Sequence, residues 1–235
     1  MSEPNHRLLL VRHAQGSLGT HDYDRLSKTG FRQAERIGMH LTAEIGQAAV
    51  VRGELKRHRQ TAEYLGRLGA CRTDPDLNEY RVDHLLEAAF TRRDELALDA
   101  PGPAALDDPV AYLDLFLELF PRVLEAWQTE QLDCSVNGRW SAFSQRVDAA
   151  GRRMSQMLDE AGTVVAVTSA GVISTLAARL LGRDLAWQRH LNVSLYNASI
   201  TELTLERLSS GVERWSVSRV NCIAHLPPEE LHTLA

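Results

Sequence analysis

The chain has 235 residues, 44% of them hydrophobic, enough to bury a full core in one elaborated α/β domain. Net charge is −5, from 26 basic and 31 acidic residues. With no long run of either sign, nucleic acid and anionic membrane surfaces are not expected partners, whereas a small anionic ligand in a locally positive pocket is compatible. Cys71, Cys134 and Cys222 are odd in number and lack Cys-x-x-Cys spacing. They read as reduced thiols of a cytoplasmic protein, not as a disulfide framework or a nucleophile. The opening residues carry no apolar run of signal-peptide length, and no segment reads as a membrane span.

In chain order, Leu8 to Val11 is a short apolar run between Arg7 and Arg12, the pattern of a strand buried on both faces of a parallel sheet. A polar loop, Ala14 to Arg25, leads to Ser27, a candidate N-cap. The helix after it carries Phe31, Ala34, Ile37, Met39 and Leu41. Ala48 to Val51 predicts a second strand, followed by a helix from about Leu55 to Gly69. Alternating strands and helices call for parallel βαβ units.

From Glu79 to Gly162 the pattern is largely helical. Trp140, Phe143, Val147, Ala150, Met154 and Met157 form one apolar stripe. Asp99 to Pro109 reads as a loop, and Val110 to Glu130 as helix on both sides of Pro121, where a break or kink is expected. The leucines at 113, 115, 117 and 119 make that helix apolar almost all round, so it lies deep or meets a second subunit, which would make a homodimer. The chain is read as one domain over residues 1–235, with a helical insertion at about 84–139. Thr163 to Thr168 is the clearest buried strand, running through Ser169-Ala170-Gly171 into a helix at Val172 to Leu181. Two alternating segments, near Ser199 to Leu205 and Val212 to Val220, predict strands at the sheet edge.

Arg12-His13 ends the first strand, and Arg57 lies in the first turn of the helix after the second. In open parallel sheets ligands bind beyond the carboxyl ends of the strands, so both places face one crevice. Two guanidiniums there suit a phosphate, and a neutral imidazole between them suits attack on phosphorus.

Leu8-Leu9-Leu10-Val11-Arg12-His13-Ala14-Gln15 resembles the Arg-His-Gly-Glu/Gln signature of the histidine phosphatase (phosphoglycerate mutase-like) superfamily. The similarity continues in order through Leu26-Ser27-Lys28-Thr29-Gly30 with Gln33-Ala34, and Leu55-Lys56-Arg57 with Gln60-Thr61-Ala62. It runs on through Leu77-Asn78-Glu79, Arg146-Val147, Asn197-Ala198-Ser199-Ile200 and the closing Asn221 to Leu226. The resemblance implies a three-layer α/β/α fold with a mostly parallel central sheet and a phosphomonoester hydrolase that needs no cofactor. His13 would become phosphohistidine, Arg12 and Arg57 would clamp the phosphoryl oxygens, and Glu79 would protonate the leaving alkoxide and later activate water. The partner implied is a small phosphorylated substrate.

Three features depart from the family pattern. Ser169 stands where the family carries a second histidine of the phosphate pocket, so one charge-assisted donor is replaced by a hydroxyl. A catalytically impaired member that binds a phosphorylated ligand is the alternative this raises, and a phosphomutase ranks behind both. Ala14 replaces a glycine, adding a methyl beside the nucleophile, and Tyr80 to His84 replaces the usual stretch after the acid. His58 is the nearest other imidazole in sequence, but adjacent helical positions point about 100° apart, which argues against its reaching the pocket. His21 and His84 are placed on segments bordering the crevice. His40, His190 and His232 read as solvated or helix-terminal, and no histidine pair has metal-ligand spacing with a third ligand. Trp127, Trp140, Phe116 and Phe120 read as packing residues.

Overall fold

In the computed structural model, residues 6–17, 22, 24–98, 109–208 and 210–234 are described, the side chains of 109–116 excepted. Strand β1 (His6–Arg12) lies inside a six-stranded sheet of order β3-β2-β4-β1-β5-β6. The other strands are β2 (Ala49–Arg52), β3 (Cys71–Thr73), β4 (Thr163–Thr168), β5 (Ile200–Arg207) and β6 (Glu213–Cys222). The β1, β2, β3 and β4 strands run parallel, while β5 pairs antiparallel with β1 and β6 antiparallel with β5. The sheet is therefore mixed, with the antiparallel pair at one edge as the alternating C-terminal segments predict.

Side-chain alternation sorts the layers. Leu8 and Leu10 of β1, with Val164 and Ala166 of β4, face one hydrophobic cluster, and Leu9, Val11, Val165 and Val167 face another. The second cluster is covered by α1 (Lys28–Ile45) and α2 (Lys56–Glu63), through Ile37, Leu41 and Ala62. The first is covered by α3 (Val82–Thr91), α4 (Pro109–Gln128), α5 (Trp140–Ala161), α6 (Ala170–Leu180) and α7 (Leu185–Ser194). A strand with all four central residues fully buried needs such a cover on both sides, and the result is a three-layer α/β/α molecule. Among the described residues no helix is long and apolar enough to cross a membrane.

Several boundaries differ from those the sequence predicts. The α2 helix ends at Glu63, and turns carry the chain through Leu65 and Leu68, which are buried although no longer helical. The α4 helix runs through Pro121 without the expected break. Proline removes one backbone bond at about 3 kcal/mol, but Leu119, Phe120, Val123 and Leu124 around it are all buried, at about 1.5–3 kcal/mol each. Burial wins. The α7 helix, capped by Asp184 accepting from the Trp187 N–H at 2.8 Å, and the three-residue β3 have no counterpart among the predicted elements.

The helical region at 84–139 packs onto the sheet rather than standing away from it. Leu85, Leu86, Phe120 and Trp127 join the same cluster as Leu8 and Leu10. Trp127 meets Trp140 and Tyr80 edge-on at 5.1 and 5.2 Å between centroids, and its Nε1 donates to the Gly138 carbonyl at 2.9 Å. Trp127, Trp140 and Phe120 are thus core residues, while the side chain of Phe116 and residues 99–108 of the predicted loop lie outside the described residues.

Candidate active site at the strand ends

The carboxyl ends of three adjacent strands, β2, β4 and β1, define the site. His13 follows β1 directly, and its N–H donates to the Thr168 carbonyl at the end of β4 at 2.8 Å. The Ala198 N–H donates to the His13 carbonyl at 3.2 Å, from a left-handed residue with φ of 56°. His13 is thereby fixed at a sheet end with only 5% of its surface exposed.

The imidazole has a defined tautomer. Its Nδ1 lies 2.8 Å from the Ala14 carbonyl, which can only accept, so Nδ1 carries the proton. Its Nε2 then presents a lone pair, which accepts from Arg57 Nε at 3.1 Å. Burial, followed by the charges of Arg57 and Arg12, holds the His13 pKa well below its ordinary value, so the ring is neutral at pH 7. The ring is thus a buried neutral imidazole whose lone pair faces a guanidinium.

Arg57 comes from the first turn of α2, and this helix start is held by Asp24. The Asp24 carboxylate accepts from the Lys56 N–H at 2.8 Å and from Arg57 Nη1 at 2.7 Å. It is both helix cap and guanidinium anchor. Sequence reasoning missed Asp24, because an aspartate in a polar loop carries no positional signal. Arg12 donates from Nη1 to the Leu195 carbonyl, and its charge reaches both His13 and Tyr80.

Glu79 arrives on the segment after β3. A single turn at Pro75–Leu77, capped by Asp74, ends where Thr168 Oγ1 donates to the Leu77 carbonyl at 2.6 Å. The Asn78 side chain accepts from the Glu54 N–H at 2.7 Å. The Glu79 carboxylate then accepts from the Gly171 N–H in the first turn of α6 at 2.8 Å, and from the Tyr80 N–H at 3.2 Å. Burial of the carboxyl pushes its pKa up, and the two N–H groups with Arg57 and Arg146 only partly oppose this. Gly171 is required by close approach: a Cβ there would sit 2.4 Å from Glu79 Oε1 and 2.3 Å from a Tyr80 ring carbon.

Ser169 is 1% exposed at the end of β4, and its Oγ lies 2.7 Å from Nε2 of His58. The prediction that His58 points away is wrong. Both Arg57 and His58 are buried, because the start of α2 stands over the strand ends and residues 100° apart both find protein. The two imidazoles of His13 and His58 are 5.5 Å apart between centroids.

The other predicted residues divide clearly. His84 is a half-buried partner of Glu87 at 3.5 Å on α3. His21 lies outside the described residues. His40 is not simply solvated: it stacks on His225 at 5.2 Å and pairs with Glu44 at 3.0 Å. His232 is half-buried, with Nε2 2.6 Å from the Leu226 carbonyl. The Ala14 methyl packs in a small cluster with Leu26, Ala34 and Leu226. Among the described residues no group of three potential ligands could hold a metal ion.

The remaining motif residues build the scaffold. Thr61 Oγ1 accepts from the Ala14 N–H at 3.0 Å, Gln60 from the Leu26 N–H at 2.9 Å, and Gln33 from the Gln15 N–H at 2.8 Å. Gly30 lets α1 approach the loop, since a Cβ would sit 2.1 Å from the Gln15 carbonyl oxygen.

The profile of the histidine phosphatase superfamily, branch 1, matches residues 8–102 and 114–218, a span that includes every residue of this strand-end cluster. The chain belongs to the histidine phosphatase superfamily. A search of curated protein sequences finds no match. Among solved structures, a protein described as mycobacterial hydrolase 2 superposes with a TM-score of 0.65 at 22% identity, covering 97% of this chain and 95% of its own. Mycobacterial glucosyl-3-phosphoglycerate phosphatase, in complex with inorganic phosphate, gives 0.61 at 23% identity, with coverage of 94% and 99%. The α-ribazole phosphatase of Shigella flexneri gives 0.59 at 21%, with coverage of 92% and 96%. At these identities the likeness establishes a common histidine phosphatase fold.

Proposed function

We propose that this histidine phosphatase is a phosphomonoester hydrolase acting through phosphohistidine at Nε2 of His13. The observation that carries the reading is the 3.1 Å approach of Arg57 Nε to that nitrogen, together with the Nδ1 contact that fixes the tautomer. A phosphoryl group entering between them would take Arg57's N–H onto an oxygen and leave the Nε2 lone pair facing phosphorus. Arg12 and Arg57 would offset the charge that spreads over the equatorial oxygens.

In the first step the Nε2–P bond forms as the ester P–O bond breaks, and the proton of Glu79 passes to the departing alkoxide. In the second, ionised Glu79 takes a proton from water, the resulting hydroxide attacks phosphorus, and the N–P bond breaks to release phosphate. Glu79 regains its proton and His13 its lone pair. This assignment needs a carboxyl that is protonated more readily than usual, and burial of Glu79 supplies the direction. Ser169 would donate its hydroxyl where the family pattern carries the second histidine. The substrate is a small phosphoester in the cytoplasm.

The test is hydrolysis of para-nitrophenyl phosphate by the full chain and by His13→Ala, with acid-labile, base-stable labelling of the protein from a radioactive phosphoester. Turnover and label in the wild type, both lost in His13→Ala, are expected. A wild type that neither turns over nor labels, yet binds vanadate, would replace this reading with that of a phosphate-ligand-binding protein.

A further inference from the structure

His58 is a buried imidazole that the proposed reaction does not use. Its Nε2 lies 2.7 Å from Ser169 Oγ, and its Nδ1 has no hydrogen-bond partner among the described residues. Nδ1 instead abuts Gly53, where an ideal Cβ would lie only 2.2 Å from it. A proton on Nδ1 would be a buried N–H with no acceptor among the described residues, at a cost of about 1–3 kcal/mol. A bare lone pair there costs less, so the proton belongs on Nε2 and is donated to Ser169.

Ser169 is placed to pass this on. It is the N-cap residue of α6, yet its side chain caps no backbone N–H of that helix. One N–H that a cap would take, that of Gly171, is held by Glu79 instead. The serine oxygen therefore accepts from His58, and its own hydroxyl proton remains to be donated. Thr168, the residue before it, accepts the backbone N–H of His13, which puts the two side chains at one pair of adjacent strand ends.

We propose that His58 is a positioning residue of the phosphate pocket, fixing the Ser169 hydroxyl so that its O–H donates to a phosphoryl oxygen carried toward His13. The proposal rests on the phosphoryl chemistry assigned to His13 above. Burial, with the charges of Arg57 and Arg52, lowers the His58 pKa and keeps the ring neutral, consistent with a single donated proton. Gly53 becomes part of the device, because any side chain there would drive the ring off its contact.

The test is a double-mutant cycle on the full chain: His58→Phe, Ser169→Ala and the double variant, with His58→Gln as the conservative replacement whose amide N–H can stand near Nε2. If His58 acts through Ser169, each single variant loses roughly 100–1,000-fold in kcat for para-nitrophenyl phosphate, the scale of one oriented donor. The double variant is then no worse than Ser169→Ala alone, and His58→Gln recovers part of the loss. Multiplicative losses, or His58→Phe with wild-type kcat, would overturn the proposal. Should His58→Phe fail to fold, the cycle of His58→Gln with Ser169→Ala decides by the same criterion. If the wild type shows neither turnover nor phosphohistidine, the hydrolase reading fails separately. Vanadate affinity across the same cycle then tests His58 alone: non-additive losses support its action through Ser169, and multiplicative ones overturn it.

Discussion

Arg57 donates its Nε–H to Nε2 of His13 across 3.1 Å, while Asp24 holds the other end of the same guanidinium at 2.7 Å. The guanidinium supplies positive charge and the imidazole a lone pair fixed in place, the two groups that the proposed phosphoryl site combines. This contact joins residues 44 positions apart in the chain, bringing the first turn of α2 to the residue that follows β1.

Replacing Arg57 by alanine removes that charge-assisted donor. Inorganic phosphate or vanadate should bind about 2–4 kcal/mol more weakly, roughly 30- to 1,000-fold in Kd. Isothermal titration of the variant against wild type measures it directly. Unchanged affinity would remove Arg57 from the pocket.

The pH dependence of kcat/KM follows from two opposite shifts. His13 must be neutral, and its lowered pKa carries the acid limb below 6.5. Glu79 must be protonated, and its raised pKa carries the basic limb above the ordinary carboxylate value of 4.5. Both limbs should therefore lie displaced from the ordinary values, the acid limb downward from imidazole and the basic limb upward from carboxylate. In Glu79→Gln the basic limb should vanish and kcat should fall on the order of 10²–10⁴-fold with an aliphatic phosphoester, whose leaving group needs the proton. A basic limb that survives the substitution would assign the acid elsewhere.

Gly171→Ala tests the backbone around the acid. The new methyl would meet Glu79 Oε1 at 2.4 Å and the Tyr80 ring at 2.3 Å, so the carboxylate must leave its N–H partner. Overpacking of this kind costs about 1–3 kcal/mol of stability. We expect a lower unfolding temperature together with at least about a tenfold lower kcat. Loss of stability with kcat intact would mean that Glu79 tolerates displacement and is not the proton donor.

Stability should fall on mild acidification because of His225. Burial, then His40 stacked on it, lowers its pKa to about 4. Between that value and about 6.5 the unfolded chain binds the extra proton, so stability is complete above 6.5 and drains away as pH falls toward 4. The full contribution is at most about 3 kcal/mol. His13 and His58 shift in the same direction, and Glu79 shifts oppositely. Urea unfolding at pH 7.5 and pH 5 should show the drop, and His225→Gln should make it smaller; a drop unchanged in that variant would refute the assignment.

The layered fold and the strand-end position of the site are legible in the chain alone. Continuous apolar runs such as Leu8 to Val11 and Thr163 to Thr168 fit strands covered on both faces, and the helical patterns after them call for parallel connections. Local rules handle Ser27 equally well, because a cap involves only neighbours in the chain. Pro121 defeats the same rules, since its cost is local while the compensating burial of Phe120 and Leu124 comes from distant elements.

How His58 is used emerges only from the packed molecule. Helical angles turn it away from Arg57, but they say nothing about which strand ends lie beneath the helix start. There Gly53, Ser169 and His13 converge from three strands, and hydrogen-bond direction at each nitrogen is set by neighbours that no spacing in the chain reveals. Asp24 is the same case: its loop position is unremarkable until α2 places two backbone N–H groups and a guanidinium against its carboxylate. Short-range patterns encode covalent neighbours, whereas a polar site is assembled from groups whose mutual distances are fixed only once the sheet is paired.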